Sequence, residues 1–468
     1  MLKYLMTEDF KVTETNEINA EVKTSQLIKK IILFSLPLMF SNLLQVVFHM
    51  ADIAVIGRFS GTVSLGAVGS TAVAITIFTG FLIGVGGSVN SLTSRYIGAK
   101  NNRELRRTTH TSLLLSAMIG VVILIIGVCL TRPLLELLGT KEELLSKACD
   151  YMRIYFLGMP ALALYNFGNA VYSASGNTKK PLIFMSMAGI LNVILNLIFV
   201  IVFHLDVVGV ALASIISQYL SAILVVGSLF FETGDHRLCF SDLRLSLKNA
   251  GEILSLGVPA GLQNAIFYIA NLFVQAGINS FDAVVVAGNS AASNADSVVY
   301  EMMNAVYMAT GSFVGRYFGA GDKRGVKRSY LICQFYSFAV GTVVGLTLLV
   351  LGPQFLSLFT NDPLVIDAGM QKLSIMGLIY GISAFMDNAI AGSRGIGKSV
   401  LPTAFVIMGS CVFRIIWIFT VFAYFKTIPS LYLLYAFSWG ITAILETVYF
   451  IRCYKKLKVK PVEKTLLS

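Results

Sequence analysis

The sequence predicts an all-α polytopic membrane protein with twelve transmembrane helices, arranged in two six-helix lobes related by a pseudo-two-fold axis along the membrane normal. Composition is the first observation: of 468 residues, 56% are hydrophobic and 13% are charged, whereas soluble proteins are about 25% charged. The second is a series of long apolar stretches, and the third is an internal repeat at an offset of about 221 residues. These observations exclude a soluble globular enzyme and a disordered chain.

The apolar stretches number twelve, and each is long enough to cross a hydrocarbon core of roughly 30 Å, which takes about 20 residues. In order along the chain, the predicted spans are 31–57, 63–92, 107–131, 146–171, 181–203, 207–231, 252–278, 284–314, 328–354, 365–391, 402–424 and 429–451. The segment before them lacks the apolar core of a signal peptide. The predicted organisation is a tail (1–30), a lobe (31–231), a linker (232–251), a second lobe (252–453) and a tail (454–468).

Lys and Arg are distributed unevenly between the two sides of this arrangement. The tails, the linker and the even-numbered connections carry 28 of the 36, the opposite side carries 5, and Arg153, Lys372 and Arg414 lie within spans. Because basic residues concentrate on the cytoplasmic side of membrane proteins, both termini are predicted to be cytoplasmic in a multi-pass protein of the plasma membrane. The net charge of +11 is therefore read as a topological signal, and no nucleic-acid partner is predicted.

The two halves of the chain repeat each other. Residues 95–107 (RYIGAKNNRELRR) align with residues 316–328 (RYFGAGDKRGVKR), with six of thirteen positions identical. Each half contains six spans, an even number, so both halves enter the membrane in the same direction. Parallel repeats of this kind occur in secondary transporters, in which one lobe rocks against the other. The sequence contains no phosphate-binding loop for nucleotide hydrolysis.

Several short motifs occur in an order that resembles the multidrug and toxic compound extrusion (MATE) family. They are Pro37 followed by Asp52–Gly57, the two RY[IF]GA segments, the Gly176–Pro181 turn, the Asn192–Asn196 segment and the GVALAS stretch from Gly209. The resemblance covers essentially the whole chain. It implies secondary active efflux of amphipathic, often cationic, compounds by alternating access, driven by inward flow of H⁺ or Na⁺.

The resemblance also implies partners and excludes an enzyme. Small organic substrates and membrane lipids are the expected partners, the protein is predicted to be monomeric, and no cofactor is implied beyond the coupling ion. No paired nucleophile and base and no HExxH-type metal motif occurs in the sequence, so no catalytic residue is assigned. The alternative is a flippase or exporter of lipid-linked or polysaccharide precursors from the same superfamily, which would need a wide cationic cavity.

In the resemblance, the cation-coupling site of the first lobe maps onto Asp52, Asn192, Asn196 and Ser214, with Na⁺ as one candidate ion. The family often has Asp where this chain has Asn196. The residues themselves agree, because an acidic side chain inside a membrane is costly and marks a functional site by default. Interhelical hydrogen bonding is the alternative role of the two amides and the hydroxyl.

The second lobe carries a different polar set, which is predicted to form a substrate or coupling site: Gln263, Asn271, Glu301, Asp387 and Arg414. Counted at 1.5 Å per residue from the nearest membrane boundary, Glu301 and Arg414 lie at matching depths, which predicts a buried ion pair. Asp387 is seven residues from Arg394, within reach of an arginine side chain. A purely structural ion pair is the alternative, since buried charges are tolerated only when they are paired.

Overall fold

A computed structural model of the protein describes residues 23–457. The first six helical crossings are α1 (Thr24–Phe59), α2 (Gly61–Gly98), α3 (Asn102–Leu137), α4 in two parts (Glu142–Leu157 and Met159–Ser175), α5 (Lys179–Val202) and α6 (Asp206–Phe230). The second six are α7 (Leu247–Ile278), α8 (Ala283–Gly319), α9 (Lys323–Leu356), α10 (Pro363–Gly395), α11 (Val400–Phe425) and α12 (Ile428–Lys455). The predicted fold class, twelve helices in two six-helix lobes, is confirmed.

Ten of the described helices are individually long and apolar enough to cross a membrane. The other two crossings are α8, which carries Asp296 and Glu301, and α4, which is interrupted at Gly158. Pro160 explains the interruption, because proline lacks a backbone N–H and its ring clashes with the carbonyl four residues earlier. The two parts, of 16 and 17 residues, together are long enough for one crossing.

Several helices extend beyond the apolar stretches that predicted them. Helix α1 begins at Thr24 and α7 at Leu247, because a helix continues into polar sequence where its backbone hydrogen bonds can still form. The exact boundaries of the tails and the linker stay predictions, and the tail residues 1–22 and 458–468 lie outside the described part of the chain. The side on which α1 begins is called the basic side below.

The internal repeat is visible in the backbone. Gly176 and Gly397 each end a helix with a positive φ, 93° and 84°, a conformation that glycine adopts without steric cost. Next to each turn, a hydroxyl ties it to the first helix of its own lobe: Thr178 donates to the carbonyl of Phe34 (3.0 Å) and Ser399 to that of Leu256 (2.8 Å). Both lobes thus use the same device at the same place.

The lobes pack against each other through α1 and α2 of the first lobe and α7 and α8 of the second. Helices α2 and α7 approach so closely that a Cβ added at Gly84 would lie 2.5 Å from the backbone nitrogen of Gly261. Small residues allow this approach, which is how transmembrane helices associate without a hydrophobic driving force between them. Several of the predicted site residues lie on these helices: Asp52 on α1, Gln263 and Asn271 on α7, and Glu301 on α8.

Candidate functional site

Helices α1 and α5 contact each other where an aromatic ring of one packs against a glycine of the other. The ring of Phe48 on α1 lies over Gly189 on α5, where an added Cβ would come within 1.7 Å of it. One turn further along each helix, Asp52 faces Asn192 and Asn196, since residues three, four or seven apart share a helix face. Glycine at position 189 therefore sets the distance across which the polar side chains meet.

The four predicted residues of the first lobe form one hydrogen-bonded cluster. Both carboxylate oxygens of Asp52 accept hydrogen bonds, one from the side-chain amide of Asn196 and the other from the hydroxyl of Ser214 (3.3 Å). Asn196 also donates to the side-chain oxygen of Asn192 (3.2 Å), and Asn192 to Ser214 (3.5 Å). All four side chains are buried, with Asp52 at 9% exposure and Asn196 at 0%.

The cluster offers a small cation or a proton several oxygen atoms at one place. The side-chain oxygen of Asn196 is buried without a hydrogen-bond partner, although buried polar atoms are normally paired. A carboxylate, two amide oxygens and a hydroxyl are the hard donors that alkali and alkaline-earth cations prefer. A proton on Asp52 would instead convert one acceptor oxygen into a donor. Geometry alone therefore supports ion binding of either kind.

The predicted ion pair between Glu301 and Arg414 is wrong. Arg414 is completely buried, but its guanidinium donates to the side-chain oxygen of Asn271 (2.7 Å) and to the hydroxyl of Ser438 (3.4 Å). It is also stacked between the rings of Phe267 and Tyr435, at 4.4 and 4.6 Å from their centroids. The cation is stabilised by aromatic faces and an amide, so depth along the membrane did not identify its partner.

The other predicted residues of the second lobe lie apart from Arg414. The Glu301 carboxylate accepts from the amide of Asn304 (3.5 Å), and its backbone carbonyl accepts from Asn42 of the first lobe (3.0 Å). Arg394 acts on Asp387 through its charge, but its N–H groups donate to Gln263 (2.9 Å) and to the hydroxyl of Tyr307. The structure thus joins Gln263 to Arg394 and Asn271 to Arg414, in two separate groups.

Two further polar groups in the second lobe were not predicted as sites. The ammonium of Lys372, buried to 4% exposure, forms an ion pair with Asp296 (2.6 Å) and donates to the hydroxyl of Ser293 (2.9 Å). Glu446 on α12 is buried at 0% exposure. The signal for Glu446 was present in the sequence, because a single acid inside an apolar run is a functional candidate by default.

On the basic side, α2 and α8 cross in backbone contact, and the two copies of the repeated RY[IF]GA segment form the crossing. A Cβ at Gly98 would lie 1.8 Å from the carbonyl oxygen of Arg316, and one at Gly319 would lie 1.9 Å from that of Arg95. The two contacts are equivalent under the internal repeat. They join the first lobe to the second with no room for a side chain at either glycine.

Side chains of the same segments reach across to the opposite lobe. The guanidinium of Arg316 donates to the carbonyl of Ala174 (2.7 Å) beside the Gly176 turn. The guanidinium of Arg95 lies against Gly397, where an added Cβ would be 2.9 Å from it. Tyr96 adds a hydrogen bond of 2.6 Å to the carboxylate of Glu252 on α7. The basic side of the molecule is therefore closed by reciprocal contacts between lobes.

A separate network on the basic side fixes the end of the first lobe. Glu232, just beyond α6, accepts hydrogen bonds from Tyr172 (3.0 Å) and from the ammonium of Lys180. Burial raises the pKa of Glu232, but the hydrogen bond and positive charge of Lys180 outweigh burial, and the resulting pKa lies below the usual glutamate value. The network ties α4, α5 and the end of α6 together.

Comparison with known proteins gives a family match over both halves. A model of the MatE family matches residues 37–198 and, separately, residues 259–420. A probable multidrug resistance protein, YpnP of Bacillus subtilis, is 28% identical over 80% of this chain and 84% of its own. An FAD transporter of Shewanella oneidensis is 27% identical over 74% of this chain and 77% of its own.

Solved structures of similar proteins share the fold. A MOP superfamily transporter from Pyrococcus furiosus, described as having a binding pocket of reverse polarity, superimposes with a TM-score of 0.86 at 22% identity, covering 94% of this chain and 99% of that one. A multidrug resistance MATE family transporter in an outward-facing conformation gives a TM-score of 0.85 with the same identity and coverage. At this identity the likeness concerns the fold alone.

Proposed function

The chain belongs to the MatE family, and on that premise we propose that it is a secondary active exporter of amphipathic cationic compounds, coupled to the inward flow of H⁺ or Na⁺. The observation that carries the proposal is the buried cluster around Asp52, in which one carboxylate is surrounded by amide and hydroxyl groups. Such a group inside a membrane is costly to maintain and is a functional site by default. The coupling ion would be transported cargo.

Each residue of the cluster has a distinct part in ion binding. Asp52 supplies the negative charge, and Asn192 and Ser214 supply neutral oxygens, with Ser214 hydrogen-bonded to both of the others. Asn196 holds one carboxylate oxygen through its amide N–H, and its own oxygen is unpaired. The presence of an amide at this position leaves the cluster with a single formal charge, which suits a monovalent ion.

Helix α1 connects the cluster to the contact between lobes. Beyond Asp52 toward the basic side, Asn42 donates to the backbone carbonyl of Glu301 on α8 (3.0 Å), and the ring of Phe34 packs edge-on against Phe313 (5.4 Å). An ion that binds Asp52 more tightly in one arrangement of the lobes shifts the population toward that arrangement. Alternating access by rocking of the two lobes follows from this coupling.

The proposed orientation places the basic side in the cytoplasm of a cell whose plasma membrane contains the protein. The crossing of α2 and α8 then closes the cytoplasmic side in this conformation, so that substrate would leave toward the exterior. The uneven distribution of Lys and Arg supports this orientation. Protease protection of tags at each terminus in right-side-out vesicles tests it.

The direct test is transport by the purified protein in proteoliposomes, with an imposed pH gradient in one series and an imposed Na⁺ gradient in another. The panel contains cationic dyes, and FAD serves as an anionic compound because one relative is an FAD transporter. We expect dye movement that depends on one of the two gradients. Movement of FAD without any movement of dyes would contradict the proposed substrate class.

The matched variants are Asp52→Asn and Asp150→Asn. Both make the same chemical change in the first lobe, but Asp150 is exposed whereas Asp52 is buried in the cluster. We expect Asp52→Asn to fold and to lose gradient-driven transport, while Asp150→Asn transports like the wild type. Normal coupled transport by Asp52→Asn would refute the assigned role.

A further inference from the structure

Glu446 lies inside the second lobe with no hydrogen-bond donor to its carboxyl group. It is on α12, nine residues from the basic-side end at Lys455, or about 13 Å along the helix axis. Its exposure is 0%, and both of its side-chain oxygens lack a partner in the described structure. A buried carboxyl group is normally paired or coordinated, and each exception needs an explanation.

The helix that carries the relevant cation packs along α12: a Cβ added at Gly392 on α10 would lie 2.9 Å from the ring of Phe450, one turn beyond Glu446. Arg394 on α10 is buried, acts on Glu446 through its charge, and has a buried Nε–H that is also without a partner. Three other titratable groups belong to the surroundings of Glu446: Tyr330 on α9, and Tyr449 and Cys453 on α12 itself. On α11, Arg414 is bound to Ser438, which precedes Glu446 on α12 by about two helical turns. Arg414 is enclosed between the rings of Phe267 and Tyr435, whereas the guanidinium of Arg394 lies over one ring, that of Tyr307, at 6.0 Å.

An ionised carboxylate in this position would be out of contact with bulk solvent and would have no hydrogen-bond donor from the described part of the chain. Removing an ion from water is tolerated in proteins only when its partner is in place, and in this conformation Arg394 donates instead to Gln263 and Tyr307. A protonated carboxyl group carries no charge and avoids the penalty. The contacts therefore fit Glu446 in its protonated, neutral form.

We propose that Glu446 is a proton-binding site of the second lobe, and that a proton and the guanidinium of Arg394 are alternative partners of its carboxyl group. When the proton leaves for water, the carboxylate takes Arg394 as its counter-ion. Arg394 then gives up one or both of its hydrogen bonds to Gln263 and Tyr307. The ligand is a proton, and the coupling part of the proposal rests on the transport function proposed above.

The two groups that Arg394 would release lie on the helices that contact the first lobe. Near Gln263 on α7, a Cβ added at Gly261 would lie 2.8 Å from the backbone oxygen of Phe81. Tyr307 on α8 lies 4.0 Å from the Cβ position of Gly87. A proton exchanged at Glu446 therefore changes the hydrogen bonds that Gln263 and Tyr307 make within the second lobe. Both residues lie on helices that contact the first lobe.

The test for proton binding is infrared difference spectroscopy of the purified full-length protein after a change in pH. We expect a carbonyl band of a protonated carboxylic acid that is lost in Glu446→Gln and retained in Glu136→Gln and in Asp52→Asn. Glu136 is a suitable control because its side chain is exposed and faces Arg132. If Glu446→Gln does not fold, Glu446→Asp keeps an acid at the site and is expected to shift the band. A band that neither variant changes would overturn the proposal.

The test for coupling measures the proton-to-substrate ratio in proteoliposomes. The ratio is obtained from the size of the opposing substrate gradient that just stops the flux driven by a fixed pH gradient. We expect Glu446→Gln to lower this ratio by one proton per substrate and Glu136→Gln to leave it unchanged. An unchanged ratio together with a lost infrared band would refute the coupling role but not the site. If the wild type shows no gradient-driven transport while the band depends on Glu446, the proposed function fails and the proton site stands.

Discussion

Replacing Gly98 or Gly319 by alanine should push the two lobes apart on the basic side. An added Cβ at Gly98 would lie 1.8 Å from a backbone oxygen of the other lobe, and contacts below 3.0 Å essentially never occur. The helices α2 and α8 must therefore separate by at least about 1.2 Å (3.0 minus 1.8 Å) at this crossing. The obstacle is backbone, which cannot turn aside as a flexible side chain can.

The energetic effect follows from the cost of overpacking. Extra atoms in a close-packed contact cost about 1–3 kcal/mol, and the cost falls on the arrangement in which α2 and α8 touch. An arrangement open on the basic side does not contain this contact and escapes the cost. The equilibrium between the closed and the open arrangement should shift toward the open one by about 5- to 150-fold. A variant with alanine at both Gly98 and Gly319 should shift it further.

The distance between the lobes can be measured by double electron–electron resonance between two spin labels. Asn102 and Lys327 are exposed residues near the basic-side ends of α3 and α9, and cysteines at these positions in a background lacking the six native cysteines carry the labels. We expect Gly98→Ala to increase the population at longer distance and to slow transport.

Gly251→Ala is the control, since no atom lies within 4 Å of its Cβ position. It is on α7 near the same side of the protein, so it tests whether any added methyl group has the effect. A distance distribution and a transport rate in Gly98→Ala equal to those of Gly251→Ala would refute the interpretation of the crossing as a closed gate.

Two further predictions concern the first lobe. Gly189→Ala should lower the free energy of unfolding by about 1–3 kcal/mol and weaken ion-coupled transport, because the added Cβ would fall within the ring of Phe48 and displace Asp52. Thermal unfolding and flux are compared with those of Gly227→Ala, whose Cβ position has open space around it. The lowered pKa of Glu232 means that its ionised form stabilises the fold above the ordinary glutamate pKa, and that this stability is lost as pH falls through the folded-state value. The difference in melting temperature between wild type and Glu232→Gln should therefore shrink on acidification, and a difference independent of pH would contradict this account.

The spans and the first-lobe cluster were predictable because they depend on local and one-dimensional information. Twenty apolar residues in a row predict a crossing wherever it packs, and the interruption of α4 accompanies Pro160, a residue whose effect is local. The cluster required the resemblance as well, which named residues on three helices. The structure links these four side chains in one chain of hydrogen bonds.

The second lobe was less predictable because depth fixes only one coordinate of a side chain. Counting along the sequence predicts Glu301 and Arg414 at similar depth, but the structure encloses Arg414 between Asn271 and two rings. Helix rotation is set by packing against neighbours, which a single sequence does not reveal. Glu446 is a different case, because its position in the apolar run of α12 does not indicate that Arg394 on α10 lies in the same lobe interior.

The two lobes share their packing devices but not their polar sites. The turn glycines Gly176 and Gly397 and the crossing glycines Gly98 and Gly319 recur at the repeat offset. At the same offset, the positions equivalent to the first-lobe cluster residues on α5 and α6 are aromatic: Phe413, Trp417 and Tyr435.

The reverse holds for the second lobe, because Arg394 and Glu446 correspond to Ser173 and the buried Val225 of the first lobe. Duplication thus preserved what the lobes need in order to pack and cross, while each lobe acquired its own buried charge. In the function proposed above, ion binding at Asp52 would act through α1, and protonation of Glu446 would act through Arg394 on α7 and α8. These routes reach the same interface from opposite sides, so a symmetric rocking motion can be driven by two chemically unequal switches.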